Sequence, residues 1–105
     1  MEIELQKRLY INELFDFYGE LLSARQKEII IVYYEENLSL SEIAENESIS
    51  RNAVYDALKK AEEALIGYEN KLHLYKNRKN YLKKIEELKE KHLISEDVYI
   101  VLKGE

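Results

Sequence analysis

Apolar residues recur at three- and four-residue steps along most of this chain. Between Leu5 and Leu22 they fall at Leu5, Leu9, Tyr10, Leu14, Phe17, Tyr18 and Leu21, which places them on one broad face of a helix. SARQ follows, with Ser23 positioned to cap a second helix and Gln26 at the matching position of a capping box. That second helix carries KEIIIVYYEEN. Its β-branched run is apolar enough for a core strand, but no nearby segment offers a partner strand, so the pattern predicts a fully buried helix.

A loop at Asn37-Leu38 leads to a second capping box, Ser39 with Glu42, which opens the short helix LSEIAEN. ESIS interrupts the pattern, and Ser50 is placed to cap the next helix. From Arg51 the helical period continues through Val54, Ala57, Leu58, Ala61, Leu65, Tyr68, Leu72, Tyr75, Leu82, Ile85 and Leu88, with no proline to stop it. Gly67 lies inside this run and marks a place for a kink or division, at a cost of ~1 kcal/mol relative to alanine. Beyond His92, ISEDVYIVLKGE predicts one more short helix, with Ser95 as its cap and Glu96 and Asp97 at its positive end. The expected architecture is all-α: a helical domain over residues 1–66, with a helix-turn-helix at about 39–66, followed by a long helical extension over residues 67–105.

Composition agrees with the pattern. The chain has 105 residues, 46% of them hydrophobic and 35% charged, no proline and three glycines, values of a folded helical protein and not of a disordered or membrane chain. The lack of cysteine removes disulfides, thiolate metal sites and cysteine nucleophiles. The N-terminus is acidic where a signal peptide is basic, and the longest apolar run, Ile29 to Tyr34, is too short to span a bilayer. A cytoplasmic location and no membrane insertion are expected.

Residues 39–66 carry the most specific signal. A short helix, a tight turn and a second helix form a helix-turn-helix only if the helices cross closely. Ala44 supplies the small residue at the crossing, Ile49 the apolar residue tucked under the turn, and Val54 the branched residue facing back, with Ile43 and Leu58 completing the core. Many such motifs place glycine in the turn; here the position holds Ser48.

LSLSEIAENESISRNAVYDALKKAEEAL is similar to the region-four DNA-binding domain of bacterial sigma factors, sharing EIAE, ISR, the valine three residues later and the following A…L helix. A broader resemblance covers most of residues 12–79: FDFYGELL, RQKEII, YYEENLSLSEIAE, SRNAVYDALKKAEEAL and YENKLHLYKNR resemble the YlxM family of small helix-turn-helix proteins of Gram-positive bacteria. The genes of that family commonly lie beside those for signal recognition particle components. The resemblance therefore implies a role in that particle's pathway or its regulation, with its RNA or proteins as partners. The last 25 or so residues carry little of this resemblance.

In helix-turn-helix proteins the first turns of the second helix approach base edges. The candidate DNA-binding residues are Ser50, Arg51, Asn52, Tyr55, Lys59 and Lys60. Arginine pairs bidentately with guanine and asparagine with adenine. Ser50 and the helix-start N–H groups suit a phosphate, and Lys59 and Lys60 suit the backbone further along. The competing assignment leaves Arg51 solvated and packs Tyr55 on a neighbouring helix.

Charge works against easy binding. Residues 50–66 hold three basic and three acidic side chains, with Asp56, Glu62 and Glu63 opposing phosphates. Duplex affinity that comes from neutralising phosphates is then weak for a single copy, and a dimer compensates through two half-sites. The net charge of −5 is uneven: residues 1–49 carry −7 (four basic, eleven acidic) and residues 71–92 carry +5 (eight basic, three acidic). In KLHLYKNRKNYLKK, Tyr75 and Tyr81 interleave with Lys71, Lys76, Arg78, Lys79, Lys83 and Lys84, a mixture that suits a nucleic-acid backbone and stacked bases. The helical period of Tyr68, Leu72, Tyr75, Leu82 and Ile85 favours a packing stripe instead, and homodimerisation through residues 68–90 is expected to cover it.

Catalytic chemistry is not suggested. His73 and His92 lack ligand spacing, and Glu35-Glu36 and Glu62-Glu63 diverge on a helix and read as solvated acids. No glycine-rich phosphate loop or triad-like set occurs. No enzyme and no cofactor are expected. The leading expectation is a DNA-binding regulator; the alternative is a non-enzymatic adaptor or RNA-binding factor of the signal recognition particle pathway.

Overall fold

The computed structural model describes residues 2–104, and their side chains from Glu4. Six α-helices follow one another: α1 (Glu2–Tyr18), α2 (Ala24–Ile30), α3 (Leu40–Glu47), α4 (Arg51–Leu72), α5 (Leu74–Glu90) and α6 (Glu96–Lys103), with no strand among the described residues. The protein is all-α. It forms two compact units, one ending at Leu72 and the other beginning at His73.

Local sequence explains where the helices begin. Ser23 accepts from the Gln26 N–H at 3.1 Å while Gln26 Oε1 accepts from the Ser23 N–H, and Ser39 and Glu42 repeat this reciprocal pair ahead of α3. Ser50 Oγ accepts from the Ala53 N–H at 3.0 Å, and Ser95 Oγ from the Val98 N–H at 3.2 Å. Each serine satisfies a donor that the first helical turn otherwise leaves without a partner.

Several helices end in left-handed backbone at residues other than glycine: Ser48 closes α3 with φ 57°, His73 separates α4 from α5 with φ 56°, and His92 follows α5 with φ 58°. The long helix expected from Arg51 to Leu88 is therefore two helices. Its break lies at His73, and α4 passes through Gly67 without interruption.

In the first unit, α4 packs against α1, α2 and α3. It buries Val54, Leu58, Ala61 and Leu65, a stripe at three- and four-residue spacing. Ile11, Leu14 and Tyr18 of α1, Ile29 and Ile30 of α2, and Ile43 and Ala44 of α3 complete the core. Complete burial of one such aliphatic side chain stabilises by roughly 1.5–3 kcal/mol.

The buried face of α1 overlaps the expected one only in part. Leu14 and Tyr18 are buried as expected and Ile11 joins them, whereas Leu5, Leu9 and Phe17 of the helix, and Leu21 just after it, are exposed. The expected stripe is broader than the face that packs, and the period alone does not trim it. The second helix is likewise not fully buried. Ile29, Ile30 and Tyr34 are interior, but Ile31, Val32 and Tyr33 are half-buried. Its C-terminal part, Ile31–Glu35, widens into a π-helical turn in which the Glu36 N–H reaches the Ile31 carbonyl at 3.0 Å. Tyr33 and Tyr34 of this turn lie against the Arg8 side chain.

In the second unit α5 packs on α6, burying Ile85 and Tyr99. Arg78 and Tyr81 of α5 donate to the carbonyls of Lys103 and Leu102 at 2.9 Å each, and the Tyr99 hydroxyl donates to Glu86. Part of the expected packing stripe, Ile85, is thus covered within the unit.

Candidate nucleic-acid interface

The helix-turn-helix forms from α3, the Ser48–Ser50 turn and the start of α4. Ile43 and Val54 are fully enclosed, and Ala44 and Leu58 are buried beside them. Ala44 is also where the chain turns, its carbonyl accepting from the Ile49 N–H at 3.1 Å. The left-handed Ser48 occupies the glycine-favouring position. Ile49, expected beneath the turn, is 39% exposed and so only partly covered there. Arg25 of α2 braces the far end of α3 through an ion pair with Glu47 at 2.7 Å. Hydrogen bonding to Glu47 raises the arginine's pKa.

Burial of Val54 and Leu58 determines which side chains α4 turns outward. Arg51, Asn52, Tyr55, Asp56, Lys59 and Lys60 are all exposed. Tyr55 is 50% exposed, so it does not pack away against a neighbouring helix. Ser50 is exposed too, although its hydroxyl is engaged as the cap of α4. The six residues singled out in the sequence lie together on the first turns of one helix.

One acid belongs to a different class. Glu62, read from sequence as solvated and as an obstacle to phosphates, is buried. The Tyr34 hydroxyl donates to one of its oxygens, and Lys7 Nζ lies 3.3 Å from the other. Burial, and then the hydrogen bond to Glu62, raises the Tyr34 pKa strongly, so the phenol keeps its proton. With Glu62 turned inward, the exposed charges of residues 50–66 are Arg51, Lys59 and Lys60 against Asp56 and Glu63. The outer face of this segment is net positive.

Beside this face lies a cleft of about 320 Å³ between α1 and α4, lined by Lys7, Arg8, Tyr55, Lys59 and Glu62 among others. Arg8 is fixed in its wall. Its guanidinium stacks over the rings of Tyr33 and Tyr34, 5.2 and 4.9 Å from their centroids, and donates to the Tyr33 carbonyl at 3.1 Å and Asn37 Oδ1 at 2.8 Å. It satisfies a carbonyl that the end of the π-helical turn leaves open. A second buried acid, Glu69, accepts from the Tyr18 hydroxyl at 2.5 Å. Neither carboxylate, nor Lys7, nor Arg8 shows a local sequence signature, since their partners lie far away along the chain.

Among the described residues no three His, Asp or Glu side chains converge as metal ligands do, and no helix is long and apolar enough to cross a membrane.

Comparison with known proteins agrees with this geometry. Residues 5–103 match the model of the UPF0122 family, described as "Putative helix-turn-helix protein, YlxM / p13 like". A UPF0122 protein of Caldanaerobacter subterraneus is 51% identical over 82 residues, covering 78% of this chain and 70% of that protein. The UPF0122 protein YofM of Lactococcus lactis is 46% identical over 103 residues, 98% of this chain and 89% of its own length. One from Clostridium botulinum is 37% identical over 103 residues and 94% of both chains. The chain belongs to the UPF0122 family of YlxM/p13-like helix-turn-helix proteins.

Proposed function

We propose that this chain is a DNA-binding regulatory protein that reads duplex DNA with the first turns of α4. The observation that carries the reading is the exposure of Arg51, Asn52, Tyr55 and Lys59 on one helix start whose opposite side, Val54 and Leu58, is locked into the core. Rigid support of this kind is what a base-reading helix requires. Arg51 pairs with guanine and Asn52 with adenine, Tyr55 lies against the base edges, and Ser50, Lys59 and Lys60 meet the backbone.

The positive excess of the face is small, so affinity for random duplex is weak for one copy. Pairing of two copies through residues 68–90 supplies the remainder by avidity. Leu72, Tyr81 and Leu88 within that stretch are 49%, 42% and 36% exposed, which supports the pairing.

A second reading is favoured by the strongly basic α5. Its exposed Lys79, Lys83 and Lys84 suit a structured RNA backbone, in keeping with an adaptor acting on signal recognition particle RNA or proteins. In either reading the protein acts by binding, without a cofactor and in the cytoplasm. Selection from random duplex DNA at low and near-physiological salt separates the two. Enrichment of a two-part motif supports the dimeric reader, and failure of the folded protein to enrich any duplex sets it aside in favour of RNA.

A further inference from the structure

We propose that the cleft between α1 and α4 binds one phosphate group of the duplex backbone, with Lys7 and Lys59 as its two cationic arms. The inference rests on the DNA-binding reading and adds to it a contact from outside the helix-turn-helix. Lys59 lies one helical turn beyond Tyr55 on the outward face of α4, and both line the cleft that Lys7 borders from α1. A strand leaving the base-reading residues along this face reaches the cleft next.

Lys7 is held for this role. Its side chain is 56% exposed, yet its ammonium is anchored 3.3 Å from a carboxylate oxygen of Glu62, whose side chain is 7% exposed. An ammonium has three donors, and with more than half of its side chain exposed Lys7 keeps donors available to an anion beside this ion pair. The side chain is already ordered, which lowers the entropy lost on binding an anion.

Glu62 also lines the cleft, with its charge offset by Lys7 at one oxygen and the Tyr34 hydroxyl at the other. Arg8, committed to its tyrosines and carbonyls, holds the wall and adds positive potential. The cleft's three cations outnumber its two acids, Glu4 and Glu62. That balance suits a singly charged phosphodiester and disfavours a polyanion.

The test uses the full-length protein and a duplex enriched by selection. Amide NMR with increasing duplex is expected to shift the signals of Lys7 and Lys59 together with those of Arg51 and Tyr55. Inorganic phosphate at matched ionic strength is expected to leave them in place. In binding measured across salt concentrations, Lys7→Gln and Lys59→Gln each reduce the slope of log K against log salt by about 0.9. Lys7→Arg keeps the wild-type slope, as does the control Lys27→Gln on α2.

An unmoved Lys7 signal on duplex binding overturns the proposal even if Lys7→Gln fails to fold. So does a wild-type slope for Lys7→Gln. Shifts with inorganic phosphate but not with duplex would make the cleft a free-anion site and overturn it as well. A protein that enriches no duplex removes the DNA-binding reading itself, an outcome distinct from a bound duplex that bypasses Lys7.

Discussion

The hydroxyl of Tyr34 donates its hydrogen to the carboxylate of Glu62, joining the π-helical turn after α2 to the middle of α4. Lys7 completes the arrangement from α1. Three separate segments are thereby fixed directly behind the exposed face of α4. A buried carboxylate is costly unless its oxygens are satisfied, and here both have a partner.

Tyr34→Phe leaves the ring in place and removes one hydrogen bond from a buried carboxylate. The expected loss of stability is about 1–3 kcal/mol. Urea unfolding monitored by circular dichroism measures it. Tyr55→Phe, on the exposed face of α4, is expected to stay within ~0.5 kcal/mol of wild type.

Alkaline pH acts on the same tyrosine. Burial, then Glu62, raises the Tyr34 pKa above the ordinary 10.0, and burial, then Glu69, raises that of Tyr10. Where the folded pKa is the higher, the unfolded chain releases its proton first. The stabilisation is complete below pH 10.0 and is lost as pH rises beyond that value toward the folded pKa. Thermal unfolding across the alkaline range should show a decline beginning near that pH, shallower in Tyr34→Phe. An unchanged decline in the variant would assign it to other groups.

Ser48 and Gly67 are among the residues that their backbone does not favour. Ser48 is left-handed at φ 57°, and Gly67 is helical with open space where a Cβ would stand. Ser48→Gly is expected to stabilise by about 0.5–1 kcal/mol, the left-handed penalty less the added chain entropy. Gly67→Ala is expected to stabilise by ~1 kcal/mol. Both are read as rises in melting temperature, and a fall for Gly67→Ala would contradict the open space at that position.

Features set by neighbours in sequence were legible before the fold was known. Ser23, Ser39, Ser50 and Ser95 each cap the helix they precede, because a cap needs only the next three residues. The outward set on α4 was legible for a similar reason: once Val54 and Leu58 face α3, helical geometry fixes what lies opposite. The division at His73 was not, since a left-handed histidine leaves no mark in a pattern of apolar steps, whereas Gly67 offered a false one. On α1, Leu14 and Tyr18 were legible as core, but the apolar period also admitted Leu5 and Leu9 and passed over Ile11, and only packing against α4 settles which of them are buried. The interior position of Glu62 depends on Tyr34 and Lys7, which the chain brings to it from two other helical segments.

Base reading by Arg51 and Asn52 is the central claim, and their single alanine variants test it most directly. Affinities of wild type, Arg51→Ala and Asn52→Ala are measured on the enriched duplex and on duplexes altered one base pair at a time, at fixed salt. Each variant is expected to lose about 1–3 kcal/mol of binding and to become indifferent to the identity of one base pair. Variants that fold, bind as tightly as wild type and rank the altered duplexes in the same order would contradict the assignment of α4 as the reading helix.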